Sequence, residues 1–189
     1  MATIKAARPL CAFLDLCAAS EGTSSAPNTR ADGYDIIVSG IDGPNRFDDY
    51  SHHPFSLGRK PIVVRAGKPS LAEAHELHNA GLPAVSVEPE SPLYSTASGR
   101  YQIILPTWEE LSKVTHLGTF SPANQDICAL QLLRECHADE LILAMEIPAA
   151  IEKASDIWAS FPGNLYHQGG KPIEWLLAQF KILLQAQSV

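Results

Sequence analysis

Positive charge, long apolar runs and paired cysteine motifs are what this chain has least of. Its 189 residues carry 14 Lys and Arg against 21 Asp and Glu, a net charge of −7. A general nucleic-acid binder presents a basic surface, so that class is excluded. The acidic balance also provides no attraction to an anionic cell surface. No stretch reaches the roughly 18 uninterrupted apolar residues of a membrane span. With 46% apolar and only 19% charged residues, intrinsic disorder is excluded as well. The four cysteines, Cys11, Cys17, Cys128 and Cys136, form no C-x-x-C pair and fall in apolar helical patterns. They are expected to be reduced core residues, with a disulfide framework as the alternative. Gly-rich phosphate loops, nucleophile elbows and zinc ribbons are missing, so no cofactor and no metal are expected.

Lys5 and Arg8 precede apolar residues in a way that imitates a secretory leader, but Asp15 interrupts the run and no small-residue cleavage site follows. Residues 1–16 are therefore expected to belong to the mature fold of a soluble protein made in the cytoplasm and not exported by its own signal. The length suits a single domain over 1–189, with two lobes and a core that needs no staples.

Leu10, Phe13, Leu14, Cys17 and Ala18 follow a helical repeat, so a helix is expected over 5–20 with one apolar face. Residues 22–33 are rich in Gly, Ser, Thr and Pro and read as a loop. A strand is expected from Tyr34 to Val38, ended by the Asp42-Gly43 turn. Further strands are expected over 61–65 and 84–87, around a helix over 70–79 capped by Ser70 and stopped by Gly81. The segment holding Pro89 and Pro92 reads as an irregular loop. Helices are expected over 106–114, from Ser121-Pro122 to about Cys136, over 138–145 and 149–159 on either side of Pro148, and over 173–185. Helices flanking a strand-bearing middle, about 34–105, predict an α+β fold with a mainly helical lobe and a small sheet lobe.

Glu21 continues the apolar face of the first helix, four residues after Cys17, and lies where that helix ends. A carboxylate at the negative end of a helix dipole and beside apolar groups is disfavoured as the anion, which is what a general acid at neutral pH requires. The other reading turns Glu21 into solvent after the helix frays. Asp35 either lines a cleft or caps a turn. Tyr101 can offer its ring face to a ligand or sit in the core, and Gln102 both donates and accepts through its amide. Asp126 could cap the helix start, Trp158 belongs to the core, and Tyr166 lies in a Gly-rich loop that could reach Glu21 or merely pack on the surface. His75-Glu76-Leu77-His78 lacks the metalloprotease spacing and a third ligand.

Read in order, Ser20-Glu21-Gly22-Thr23, Gly33-Tyr34-Asp35-Ile36-Ile37-Val38, Asp49-Tyr50-Ser51-His52-His53-Pro54, Gly99-Arg100-Tyr101-Gln102, Phe120-Ser121-Pro122, Gln125-Asp126 and Ile157-Trp158-Ala159-Ser160-Phe161-Pro162-Gly163 resemble the bacteriophage lambda endolysin family, the lambda-type lytic transglycosylases. Each block alone is weak, whereas the ordered set from residue 12 to 166 is specific. The resemblance implies a lysozyme-like fold with a cleft between the lobes. It also implies cleavage of the MurNAc–GlcNAc bond of peptidoglycan without water, leaving a 1,6-anhydro-MurNAc end and lysing the host cell. By motif, Glu21 would be the catalytic acid and base, and Ser20, Asp35, Tyr101, Gln102, Gln125 and Tyr166 would bind substrate. A holin-like membrane permeabiliser is implied as the functional partner, carrying the enzyme from the host cytoplasm to the periplasmic wall. The expected state is a monomer.

Residues 56–96 depart from the family as an insertion. Lys60, Arg65 and Lys68 lie in it, and it is expected either to form a lip of the cleft or to be a solvated excursion. Two rivals stay open. One is a hydrolytic muramidase with a second carboxylate such as Asp35; the other is a non-catalytic peptidoglycan-binding or virion protein.

Overall fold

The first helix, α1 (Arg8–Glu21), explains most of the architecture. Pro9 occupies its first turn, where a missing N–H is harmless, and Gly22 ends it in a left-handed conformation at φ 73°. The sequence suggests one apolar face, yet Leu10 through Ala18 are all buried, including Asp15 on the polar side. The reason is packing. Ala12, Cys17 and Ala18 are small enough for other helices to approach closely, so α1 runs through the middle of the molecule. Residues that imitate a leader thus form the central helix of the core.

The computed structural model describes residues 1–65, 92–163 and 170–187. After α1 the chain forms two antiparallel ribbons. Strand β1 (Ile36–Gly40) pairs with β2 (Gly43–Arg46), with Ile36 opposite Arg46 and an irregularity between Ile37 and Gly40. Strand β3 (Ile62–Arg65) pairs with β4 (Leu93–Ser95), with Val63 opposite Tyr94. The ribbons are stitched together by Val38 N–H to Ala97 O at 2.9 Å and Ile41 N–H to Val63 O at 2.9 Å. The expected strands at 34–38 and 61–65 are present within a residue or two. Strand β4 corrects the expectation of an irregular loop, because three residues after Pro92 carry no readable alternation and only pairing with β3 makes them a strand. The expected helix over 70–79 and strand over 84–87 lie outside the described residues.

The rest is helical: α2 (Leu105–Val114), α3 (Pro122–Glu135), α4 (Ala138–Leu143), α5 (Ile147–Ala154) and α6 (Ile173–Ala186). Helices α3, α4 and α6 pack on α1, with Phe13 edge-on to Phe180 at 6.4 Å and to Phe161 at 6.0 Å. The helix expected over 149–159 starts earlier, because Pro148 fits its first turn, and stops at Ala154. Residues 155–160 are turns instead. Asp15, Asp35, His53, Arg100, Gln125 and Asp126 are the larger polar groups of the interior, beside the buried hydroxyls of Ser20, Thr23, Ser98 and Ser155. The four cysteines are unpaired thiols, three buried and Cys136 half-buried. Among the described residues no helix is long and apolar enough to cross a membrane.

Candidate active site

A cavity of about 570 Å³ opens between the β3–β4 ribbon, the start of α2 and the turns after α5. Glu21 lines it from the end of α1, with Tyr101 and Gln102 beside it, Tyr94 on the ribbon, and Asp156 and Trp158 on the turns. Val64 on β3 and Leu93 to Ser95 on β4 supply one wall of the cavity. Lys60 is exposed outside it, and Lys68 lies outside the described residues.

Glu21 is half-buried, and burial raises its pKa above the usual glutamate value. Hydrogen bonds from Ser160 partly oppose the shift, the side-chain one running from Oγ to Glu21 Oε1 at 2.6 Å. The carboxyl is therefore apolar-flanked, held by a hydroxyl and open to a cavity, which suits proton delivery and return at one group.

Of the residues expected to bind substrate, the structure brings Tyr101 and Gln102 to the cavity with Glu21. Tyr101 is nevertheless almost wholly buried, and its hydroxyl donates to Asp126 Oδ1 at 2.6 Å. Burial and that carboxylate hold the phenol far above its usual pKa, so it stays protonated. Trp158, a core residue as expected, donates from Nε1 to the Tyr101 carbonyl at 3.1 Å. Gln102 sits at φ 52°, with its amide nitrogen donating to Gly99 O at 3.0 Å.

Three residues stand elsewhere. Ser20 is buried and donates to the Ser160 carbonyl. Asp35 is buried and accepts from Thr29 Oγ1 at 2.6 Å and the Arg30 N–H at 2.8 Å, with Arg46 Nη1 at 3.8 Å. Gln125 is fully buried, accepting from Arg100 N–H and donating to the carbonyls of Tyr34 and Phe120. None of the three is among the residues lining this cavity, and their polar atoms hydrogen-bond within the protein. Tyr166 lies outside the described residues, as do His75 and His78.

Two groups carry no sufficient signal in the sequence. Ser160 has no local mark of a role, being 139 residues from Glu21. Asp156 falls within the helical pattern over 149–159, but α5 stops before it and the turn carries it, largely exposed, to the cavity lining. Asp126 is more than a helix cap, since it accepts from Thr3, Ile4, Tyr34 and Tyr101. Behind the site, Arg100 is buried against Asp15 at 2.8 Å and also reaches Asp32. Among the described residues no group of three His, Cys, Asp or Glu could hold a metal ion.

Known proteins are similar to this chain in sequence and in fold. A family model described as Endolysin matches residues 11–185. An endolysin of Escherichia phage P2 is 39% identical over 183 residues, covering 96% of each chain. An endolysin of Escherichia phage lambda is 37% identical over 171 residues, covering 90% of this chain and 87% of the relative. The structure is also similar to bacteriophage lambda lysozyme complexed with a chitohexasaccharide, with a TM-score of 0.71 and 35% identity over 96% of this chain and 97% of that one. The α+β architecture is accordingly that of a lysozyme-like fold.

Proposed function

This chain belongs to the endolysin family, and from that premise we propose that it cleaves the glycan strands of peptidoglycan at the MurNAc–GlcNAc bond as a lytic transglycosylase, lysing a bacterial host. One observation carries the reading. Among the described residues Glu21 is the one carboxyl on the cavity lining whose pKa is raised, while Asp35 is not on that lining and accepts from Thr29 and Arg30.

In this reading protonated Glu21 donates its proton to the bridging oxygen as the bond from the MurNAc anomeric carbon to that oxygen breaks. The sugar's own 6-hydroxyl then attacks the anomeric carbon, and its proton passes to the Glu21 carboxylate. The products are a free GlcNAc hydroxyl and a 1,6-anhydro-MurNAc end. No water enters, and Glu21 returns to its acid form. One carboxyl suffices because the two proton transfers are sequential, whereas hydrolysis more often uses two carboxylates. The lambda lysozyme structure holds a chitohexasaccharide, which supports an extended β-linked amino-sugar chain as the ligand here. Tyr101 and Gln102, which line the cavity with Glu21, would contact that chain. Access to the wall would follow permeabilisation of the host membrane by a holin-like partner, with the enzyme acting as a monomer.

Asp156 favours a second reading, since it is the other carboxylate on the cavity lining. A hydrolytic muramidase would use it to activate water. Mass spectrometry of fragments released from purified peptidoglycan separates the two. Non-reducing fragments lighter by one water, lost in Glu21→Gln and retained in Asp156→Asn, are expected. Reducing ends of full mass, lost in both variants, would establish hydrolysis instead. If Glu21→Gln still lyses permeabilised cells, the non-catalytic reading prevails.

A further inference from the structure

Ser160 is held from two sides at the point where it meets Glu21. Its hydroxyl donates to Glu21 Oε1 at 2.6 Å, and its carbonyl oxygen accepts from Ser20 Oγ at 3.2 Å and from the Lys171 N–H at 2.8 Å. The Lys171 bond requires residues 160–161 and 170–171 to run almost in contact. Gly170 permits this, since a Cβ there would stand 2.5 Å from the Phe161 carbonyl oxygen. Ser20 and Glu21 are consecutive, so the end of α1 holds Ser160 with one side chain and is held by it through the next. The loop that carries Ser160 also carries Asp156 and Trp158 of the cavity lining, which ties the placement of the carboxyl to that of the cavity wall.

We propose that Ser160 is the positioning residue of this active site, fixing the Glu21 carboxyl through Oε1 so that Oε2 delivers and takes back the proton. This rests on the reading of Glu21 as the catalytic carboxyl. A hydroxyl donor stabilises the anion more than the acid, so the same bond limits how far burial can raise the Glu21 pKa and keeps the group able to give up its proton as well as regain it. Among the described residues the titratable groups near it are Cys17 one turn back on α1, and Tyr94, Tyr101 and Asp156 on the same cavity lining. Burial raises the Glu21 pKa, and the hydrogen bonds from Ser160 oppose that rise. Ser20, through its hydrogen bond to the Ser160 carbonyl, anchors the positioning residue.

The test is a carbon-13 NMR titration of the Glu21 carboxyl in the parent, Ser160→Ala and Ser160→Thr, run beside pH profiles of kcat and KM on purified peptidoglycan. In Ser160→Ala the carboxyl is expected to titrate about one pH unit higher. The alkaline limb of kcat should move with it, the maximal rate should fall about tenfold, and KM should hold. Ser160→Thr, which keeps the hydroxyl, should restore the parent titration and rate. An unshifted Glu21 titration in Ser160→Ala, or a threonine variant no better than alanine, overturns the proposal. Should the alanine variant fail to fold, Ser160→Cys, near in shape but a weak donor, gives the same comparison. Absence of turnover in the parent protein would remove the functional reading alone, because the titration needs no turnover and still decides the role of Ser160.

Discussion

Replacing Asp126 by Asn tests how the helical lobe is tied to the sheet lobe and the chain's first residues. Oδ1 accepts from the hydroxyls of Tyr34 at 2.7 Å and Tyr101 at 2.6 Å, and Oδ2 from Thr3 N–H at 2.5 Å, Thr3 Oγ1 at 2.7 Å and Ile4 N–H at 3.2 Å. An asparagine offers one oxygen and one amino group in the same space. With its oxygen toward the tyrosines, two backbone N–H groups face another donor. With its oxygen toward residues 3 and 4, two tyrosine hydroxyls lose their acceptor. Either way two donors are orphaned at about 1–3 kcal/mol each, partly relieved if the first residues detach into water. The expected loss is about 3 kcal/mol, or a Tm lower by roughly 6–12 °C for a chain of this size. Urea unfolding followed by far-UV and near-UV circular dichroism measures it. A double-mutant cycle with Tyr101→Phe should show coupling of at least about 0.5 kcal/mol. A loss below about 1 kcal/mol, or strict additivity in the cycle, would refute the idea that this carboxylate clamps the lobes.

Other consequences are open to measurement. Glu21→Gln should abolish turnover by about a thousandfold or more while raising stability at neutral pH by about 1 kcal/mol. The sign follows from the raised pKa: the folded state holds the proton more tightly than the unfolded state, so the stability this group contributes is lost as pH rises through its folded pKa. A parent and variant with equal Tm at pH 7 would contradict this. His53 has the opposite sense. It is fully buried, with Nε2 against Ile103 O at 3.0 Å and Nδ1 accepting from the Phe55 N–H, so it is the neutral Nε2–H tautomer, and burial lowers its pKa. The unfolded chain takes up the proton first, and stability should fall as pH drops below about 6.5. Thermal melts from pH 8 to 5 should show that slope, and His53→Gln should flatten it. Arg100→Met leaves Asp15 and Asp32 without their buried cation and should cost about 3–5 kcal/mol in chemical denaturation; the double replacement with Asp15→Leu should recover part of that loss.

Much of this protein is legible along the chain because it depends on near neighbours. Helical periodicity, Pro at first turns and Gly22 after α1 place five of the helices within a few residues, and the Asp42-Gly43 turn marks the end of β1, although its partner β2 is not foreseen. Glu21 as the candidate acid also follows from local facts, namely the end of a helix and an apolar face. Ordered family blocks point to the same residue. What the chain alone does not contain are pairings between distant segments. Strand β4 exists only through β3, and α1 is buried all round only because α3, α4 and α6 close on its small residues. The hydrogen bonds of Asp35 to Thr29 and Arg30, and of Gln125 to Tyr34 and Phe120, are likewise not written in their motifs. Asp156 joins the cavity because α5 ends early, and Ser160 reaches Glu21 across 139 positions. Sequence determines which groups can do acid–base chemistry; tertiary structure decides which of them stand at a cavity and which partners hold them, because those contacts join segments far apart along the chain.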